Sequence, residues 1–187
     1  MRPNIVSYIF LAISFSCNSP DKNSNTEYPI NEKIAYPKPD SAGYFTNINT
    51  GKADPAEIIA FARLLTGIPY KYASTNPNQG FDCSGFITYV FNHFGIAVPR
   101  NSVDFTFIHH EVRLNEAKPG DLILFTGTDS TIRKVGHMGI VVSHPGEEVK
   151  FIHATSGKAY GVTETSLNKY YSGRYVKTIR IFLQNGN

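Results

Sequence analysis

Gly80-Phe81-Asp82-Cys83-Ser84-Gly85-Phe86, with the apolar run that continues to Phe94, decides how this 187-residue chain is read. Phe86, Ile87, Tyr89, Val90, Phe91 and Phe94 recur at helical spacing, so the run predicts a buried helix. Gly80 supplies a turn, and Asp82 stands where a helix N-cap belongs. Cys83 then falls in the first helical turn. There the helix dipole and unpaired backbone N–H groups favour a thiolate and offer donors to an oxyanion. A nucleophile and a buried structural cysteine both fit that position, and position alone does not choose between them.

Working outward, Asp54-Pro55-Ala56-Glu57 reads as a helix start, with Asp as cap and Pro at the first position. Ile58, Ile59, Phe61, Ala62 and Leu65 give that helix an apolar face, and Gly67 ends it. Ile68 to Tyr72 is an extended entry segment, and Ala73 to Gly80 is a loop. Gly95 stops the Cys83 helix, Val98-Pro99-Arg100-Asn101-Ser102 is a loop, and a short helix begins at Ser102. From Val112 the pattern turns to strands. Leu122–Phe125 reads as a buried strand, Thr126 to Val135 as a polar loop, and His137–Val142 as the next strand. Pro145-Gly146-Glu147-Glu148 turns it into Val149–Ala154, and the alternation from Arg174 to Leu183 closes the sheet. Helices first and strands later predict one α+β domain over residues 53–187, a helix-borne cysteine packed on an antiparallel sheet.

Composition narrows the function classes. Net charge is +3 with no run of like charge, so no nucleic-acid partner is expected. Two cysteines, Cys17 and Cys83, exclude both a disulfide-rich scaffold and a Cys-based zinc site. Residues 1–16 read as a targeting segment: Arg2 is the positive end, and Ile5 to Phe15 is too short to span a bilayer. Ser14-Phe15-Ser16-Cys17 resembles a bacterial lipobox, which implies cleavage before Cys17 and lipidation of its thiol. Ordinary secretion with a cut near Cys17 is the alternative. The lipoprotein reading leaves Cys83 without a disulfide partner. Residues 17–52, rich in Asn, Ser, Pro, Asp and Lys, read as a flexible tether on which Tyr28, Tyr36, Tyr44 and Phe45 could pack against the domain.

Three groups then form a constellation. Cys83 begins a helix, His137 begins a strand, and His153 ends the neighbouring hairpin strand. Adjacent antiparallel strands bring two such histidines together on one face. His137 would take the thiol proton, and His153 would fix its tautomer. The bland reading of each is an ordinary strand histidine, as is expected of His93, His109, His110 and His144. No HxH or HExxH spacing supports zinc, and no metal or cofactor is expected.

Six blocks in order carry a family resemblance. They are Pro69-Tyr70-Lys71-Tyr72, Phe81 to Phe86, Pro99-Arg100-Asn101-Ser102, Lys118-Pro119-Gly120-Asp121-Leu122, Gly136-His137-Met138-Gly139-Ile140 and Phe151-Ile152-His153-Ala154. Together they resemble the NlpC family of papain-like cell-wall cysteine peptidases from about Asp54 to Leu183. The resemblance implies a papain-like fold and hydrolysis of peptidoglycan stem peptides, typically at the D-γ-glutamyl bond to a diamino acid such as meso-diaminopimelate. In that reaction Cys83 attacks, His137 moves the proton, and the Cys83 N–H and Tyr70 hydroxyl hold the oxyanion. By resemblance, Asp82, Ser84 and Ser102 bind the substrate's free amine and backbone. The expected setting is the cell envelope, with a monomer held to the membrane by lipid on Cys17, on the periplasmic side of the outer membrane in a Gram-negative source. One departure stands out: the family usually has Gly-Gly where this chain has Ala73-Ser74. A non-catalytic wall-binding lipoprotein or an acyltransferase on the same scaffold is the alternative. Loss of Cys83 or His137 would mark the non-catalytic form, and both are present.

Overall fold

A computed structural model describes residues 28, 29 and 35–183. The expected targeting segment and Cys17 lie outside these residues. Helix α1, Pro55–Leu64, starts as the sequence predicts: the Asp54 side chain accepts from the Ala56 N–H, and Pro55 is its first residue. Two short strands, β1 (Thr75–Asn76) and β2 (Gly80–Phe81), pair inside the segment expected to be a loop. Helix α2, Cys83–His93, follows at once, and a 3₁₀ helix runs from Ser102 to Phe107.

The remaining strands are β3 (Glu111–Val112), β4 (Leu122–Thr126), β5 (Val135–Val141), β6 (Lys150–Thr155), β7 (Gly161–Ser166) and β8 (Tyr175–Ile179), with helix α3 (Lys169–Arg174) before the last. They form one antiparallel sheet in the order β3-β8-β4-β5-β6-β7. Every residue of β4 is buried because both sheet faces are covered. Leu122 and Leu124 join the main core with α1 and α2, whereas Ile123 and Phe125 join a second cluster with Tyr171 of α3. A central strand covered on both sides reads as an unbroken apolar run, which is how it appears in the sequence.

Three expectations are corrected. Strand β5 starts at Val135, so the polar loop is shorter than expected. Strand β7 and helix α3 were not anticipated. Strand β7 is an edge strand, GVTETS, with only Gly161 and Val162 buried, and α3 is six residues containing Gly173. Neither gives a hydrophobic period long enough to read. Arg174 belongs to α3 rather than to the closing strand, which ends at Ile179. The described part of the expected tether docks in part, as was expected of Tyr28, Tyr44 and Phe45, while most of residues 35–44 stay exposed. Ile48 is in the main core, Tyr28 and Phe45 pack against it, Tyr44 meets Phe107, and the His109 N–H donates to the Thr46 carbonyl. Aromatic residues spaced along a polar stretch supply enough apolar area to dock it. Tyr36 stays exposed.

Candidate active site

The cysteine is placed by its cap. The Asp82 carboxylate accepts from the Gly85 N–H at 2.6 Å, which fixes Cys83 as the first residue of α2. Gly85 is there for space, since a Cβ on it would stand 2.0 Å from the Ser74 carbonyl oxygen. The Ser74 carbonyl in turn accepts from the Asp82 N–H, so the 73–80 segment is laid directly on the helix start. Arg100, from the loop after α2, closes the arrangement. It donates to both Asp82 oxygens, at 3.1 and 2.6 Å, and to the Ser84 hydroxyl at 3.0 Å. A bidentate guanidinium fixes a carboxylate in plane as well as in place. Arg100 carried no role in the sequence reading. The available signal was its place in the Pro99-Arg100-Asn101-Ser102 block.

A groove of about 500 Å³ opens over this start, lined by Tyr70, Ala73, Asp82, Cys83, Ser84 and Ser102 among others. Four expected site residues, Tyr70, Asp82, Ser84 and Ser102, therefore share one hollow with the thiol. Tyr72, the neighbour of the oxyanion candidate, is 84% exposed. Burial, with the neighbouring Cys83 and Asp82 acting against a second negative charge, holds the Tyr70 hydroxyl above its usual pKa, so it stays a neutral donor.

The base comes from the sheet. Cys83 Sγ lies 3.9 Å from the carbonyl oxygen of Gly136, which precedes His137. Strands β5 and β6 pair Ile140 with Ile152 and Val141 with Phe151. Continued, that register sets Gly139 opposite His153, so His137 and His153 are diagonal neighbours on one face. A Cβ on Gly139 would stand 3.2 Å from the His153 Cβ and 2.8 Å from the Phe151 ring, so the glycine leaves the room that the two imidazoles use. His137 Nε2 lies 2.8 Å from His153 Nδ1, and His153 Nε2 lies 2.9 Å from the Thr165 hydroxyl. One proton arrangement makes His137 a base: Nε2–H donates to His153, and His153 Nε2–H donates to Thr165. His137 Nδ1 is then left with a free lone pair. Thr165 lies on the unanticipated β7, and nothing in the sequence marked it.

Both imidazoles are roofed by α3. Tyr171 stacks on His137 at 6.0 Å between ring centres and meets His153 edge-on at 5.4 Å. Burial lowers the His137 pKa well below its usual value, and His153 and the Arg174 cation lower it further. Burial, with Arg174, lowers His153 to about 3. The thiol departs from expectation. Burial, with the Asp82 charge, pushes Cys83 up to about 11, against the pull of the Ser84 and Cys83 N–H groups and of Arg100. The helix terminus is present as predicted, but desolvation outweighs it. The pair is at rest as thiol and imidazole.

Among the described residues no group of three or more His, Cys, Asp or Glu side chains could hold a metal ion. His144 lies in the turn after β5, with its N–H on Glu147, and His93 stacks on Phe61.

A helix-borne thiol set against a histidine at the head of an antiparallel sheet, with a second polar group behind that histidine, defines a papain-like cysteine site. The chain belongs to the NlpC/P60 family, whose pattern it matches over residues 67–180. It is 33% identical over 141 residues to the γ-DL-glutamyl hydrolase of Bacillus subtilis, covering 73% of this chain and 32% of that one. It is 32% identical over 117 residues to a probable endopeptidase, the NlpC homologue of Haemophilus influenzae, covering 62% and 56%. The chain thus spans between a third and just over half of the length of these curated relatives. Among solved structures it superposes on an NlpC/P60 family protein from Bacillus cereus with a TM-score of 0.61 and 27% identity, covering 71% of this chain and 42% of that one.

Proposed function

We propose that the protein is a cysteine endopeptidase that hydrolyses peptidoglycan stem peptides at the D-γ-glutamyl bond to a diamino acid. The observation that carries the reading is the Cys83 sulfur beside Gly136-His137, with His137 backed by His153 at 2.8 Å. The name of the B. subtilis relative specifies a γ-DL-glutamyl bond, which supports that part of the assignment.

As sulfur attacks the γ-carbonyl carbon, His137 Nδ1 takes the thiol proton, so the nucleophile is generated during attack. The carbonyl oxygen becomes an oxyanion, to which the Cys83 N–H and the Tyr70 hydroxyl donate. His137 then gives its proton to the amine nitrogen, the C–N bond breaks, and a thioester remains. Water adds to the thioester and passes a proton to His137. The C–S bond breaks, the proton returns to sulfur, and the γ-carboxyl product leaves. His153 and Thr165 hold the ring through both halves. Asp82 and Ser84, fixed by Arg100, face the acyl portion of the substrate, and Asp82 is the charge suited to a free amine.

The residues from Met1 to Cys17 support a further part of the reading, that the protein is a lipoprotein of the cell envelope anchored through Cys17. Labelled palmitate should enter the wild-type chain and not Cys17→Ala. For the enzyme, purified muropeptides are digested and the products read by mass spectrometry. The expected pair is an L-Ala-D-Glu end and a fragment beginning with the diamino acid. No such pair from the wild type, or the same pair from Cys83→Ala, overturns the assignment.

A further inference from the structure

The stretch ahead of α1 touches three segments that build the thiol side of the site. The first is the 73–80 segment, which rests on Asp82. There the Tyr28 N–H donates to the Asn78 side chain at 3.2 Å, and the Asn78 amide donates back to the Tyr28 carbonyl at 3.3 Å. The second is α2 itself. Its Tyr89 hydroxyl donates to the Pro29 carbonyl at 2.9 Å, and its Asn92 side chain accepts from the Ala35 N–H. The third is the loop after α2, which brings Arg100 and Ser102 to the groove and which Tyr44 and Thr46 meet.

That third contact is a built one. Residues 40–44 close into a turn. The Asp40 carboxylate accepts from the Ala42 and Tyr44 N–H groups, each at 2.9 Å. The Asp40 N–H donates to the Tyr44 carbonyl at 2.8 Å, and Gly43 donates to the Asp40 carbonyl at 3.0 Å. Such a turn fixes a short polar run without any core of its own. Among the described residues the Asp40 side chain bonds nothing outside this turn. What the turn presents is Tyr44, whose ring stands 4.2 Å from that of Phe107.

Phe107 ends the 3₁₀ helix that begins at Ser102. Six residues is long for that geometry, and its Asn101 cap makes no side-chain hydrogen bond. The backbone beyond it is strained, since His110 has φ +69°. The Thr46 carbonyl accepts from the His109 N–H at 3.0 Å, and the Arg180 N–H holds the His110 carbonyl at 2.9 Å. Strain of this kind persists only where neighbours over-determine it.

We propose that residues 35–48 are a positioning element of the active site: Tyr44 and Thr46 brace the 102–110 segment, and through it hold Ser102 and Arg100 at the groove. None of residues 35–48 lines the groove itself. The brace acts through the loop, so its loss weakens substrate binding and leaves the Cys83–His137 chemistry in place. Its kinetic test rests on the reaction proposed above, and its structural test rests on the contacts alone.

Full-length wild type, Tyr44→Ala, Tyr44→Phe and Asp40→Ala are compared on one stem peptide, with backbone hydrogen exchange followed in parallel. Tyr44→Ala should raise KM by about threefold to fivefold with kcat about unchanged, because a loosened binding loop removes interactions made equally before and during reaction. The Asp104 and Ile108 N–H groups, which are bonded within the segment itself, should exchange about tenfold faster. Asp40→Ala dissolves the turn from outside the groove and should move both readouts the same way by a smaller factor. Tyr44→Phe keeps a ring on Phe107 and should match the wild type. Exchange in α1 and β4 should be the same in all four, which separates a loosened loop from a loosened domain. An unchanged KM in Tyr44→Ala, unchanged exchange at Asp104 and Ile108, or exchange that quickens equally in α1 and β4 overturns the brace and leaves the reaction standing. No cleavage by the wild type overturns the reaction, and the exchange comparison then decides the brace by itself.

Discussion

The thiol side of the site is built from close neighbours in sequence, and the imidazole side is assembled from distant segments. Asp82, Cys83, Ser84 and Arg100 fall within twenty residues, and polar groups hold them: a cap, a bidentate ion pair, a hydroxyl. His137, His153, Thr165, Tyr171 and Arg174 come from three strands and a helix, and aromatic burial holds them. The two sides also set charge differently. On the thiol side Asp82 opposes ionisation of Cys83 and Arg100 promotes it, whereas on the imidazole side burial and Arg174 both oppose protonation. The difference teaches that the neutral form of the catalytic pair is imposed mostly by packing, and packing is the part of a site that sequence neighbours do not determine.

The largest effects should break the two sides equally. Cys83→Ala and His137→Ala should each lower kcat/KM on a stem peptide by ~10⁴ or more, because nucleophile and base act as a unit. His153→Ala should cost about a hundredfold, and His153→Asn less, since an amide oxygen still accepts from His137 Nε2. His144→Ala serves as the control and should be silent. Full turnover by His153→Ala would remove His153 from the mechanism and leave the imidazole side as packing alone.

The second effect isolates the imidazole side through stability. An unfolded histidine binds a proton near its usual 6.5, whereas His153 in the fold does so only at about 3, and His137 is lowered in the same direction. Between those limits the unfolded chain holds more protons, so stability rises with pH. The His153 contribution is present above about pH 6.5 and is lost as pH falls toward 3, by about 1.4 kcal/mol per unit, and that of His137 is lost in the same direction. Urea midpoints at pH 7 and pH 4.5 measure the loss. His153→Asn should flatten the slope, and an equally steep slope in that variant would assign the acid sensitivity elsewhere.

Much of this division was visible before any coordinates. The Asp82-Cys83 cap, the α1 start at Asp54-Pro55 and the buried β4 run are local signals, and each forms where the sequence puts it. The His137–His153 pairing was legible too, because a hairpin turn at Pro145-Gly146 fixes which strands meet. Strand β7 and α3 were not legible. Their residues are half-exposed or aromatic and polar by turns, and they are ordered by the sheet edge and by Arg174 rather than by a period of their own. The thiol's pKa was misread for the same reason. A helix start can be seen in a sequence, but the desolvation that outweighs it depends on everything packed around Cys83.

The third effect tests the thiol side. Arg100→Met removes the guanidinium from Asp82 while keeping much of its aliphatic bulk. A paired carboxylate that is 9% exposed would lose its partner. The expected cost is about 2 kcal/mol, below that of a fully buried pair because a quarter of the Arg100 side chain faces water. Loss of the cation should also raise Cys83 above about 11. Iodoacetamide should therefore alkylate the variant more slowly than the wild type at pH 9. Faster alkylation would mean that Arg100 acts on the thiol mainly by covering it.

The smallest effect concerns the departure from the family pattern at Ala73. Its backbone is left-handed, with φ +56°, a conformation that suits glycine and crowds an alanine Cβ. The next residue, Ser74, is anchored on both sides, by the Asp82 N–H and by the close approach of Gly85. The segment therefore cannot relax away from the strain without lifting off the start of α2. Ala73→Gly should remove the crowding and return part of the gain to the greater freedom of glycine in the unfolded chain. The net expectation is about 0.5–1 kcal/mol of added stability, or roughly 2–4 °C in Tm for a domain of this size. Ala73 lines the Cys83 groove, so loss of its methyl also widens the hollow at the acyl side of the reacting bond. A change confined to KM would mark Ala73 as a wall of the groove. A fall in Tm would show that its methyl packs well enough to outweigh the backbone, and the local strain assigned here to the thiol side would have to be withdrawn.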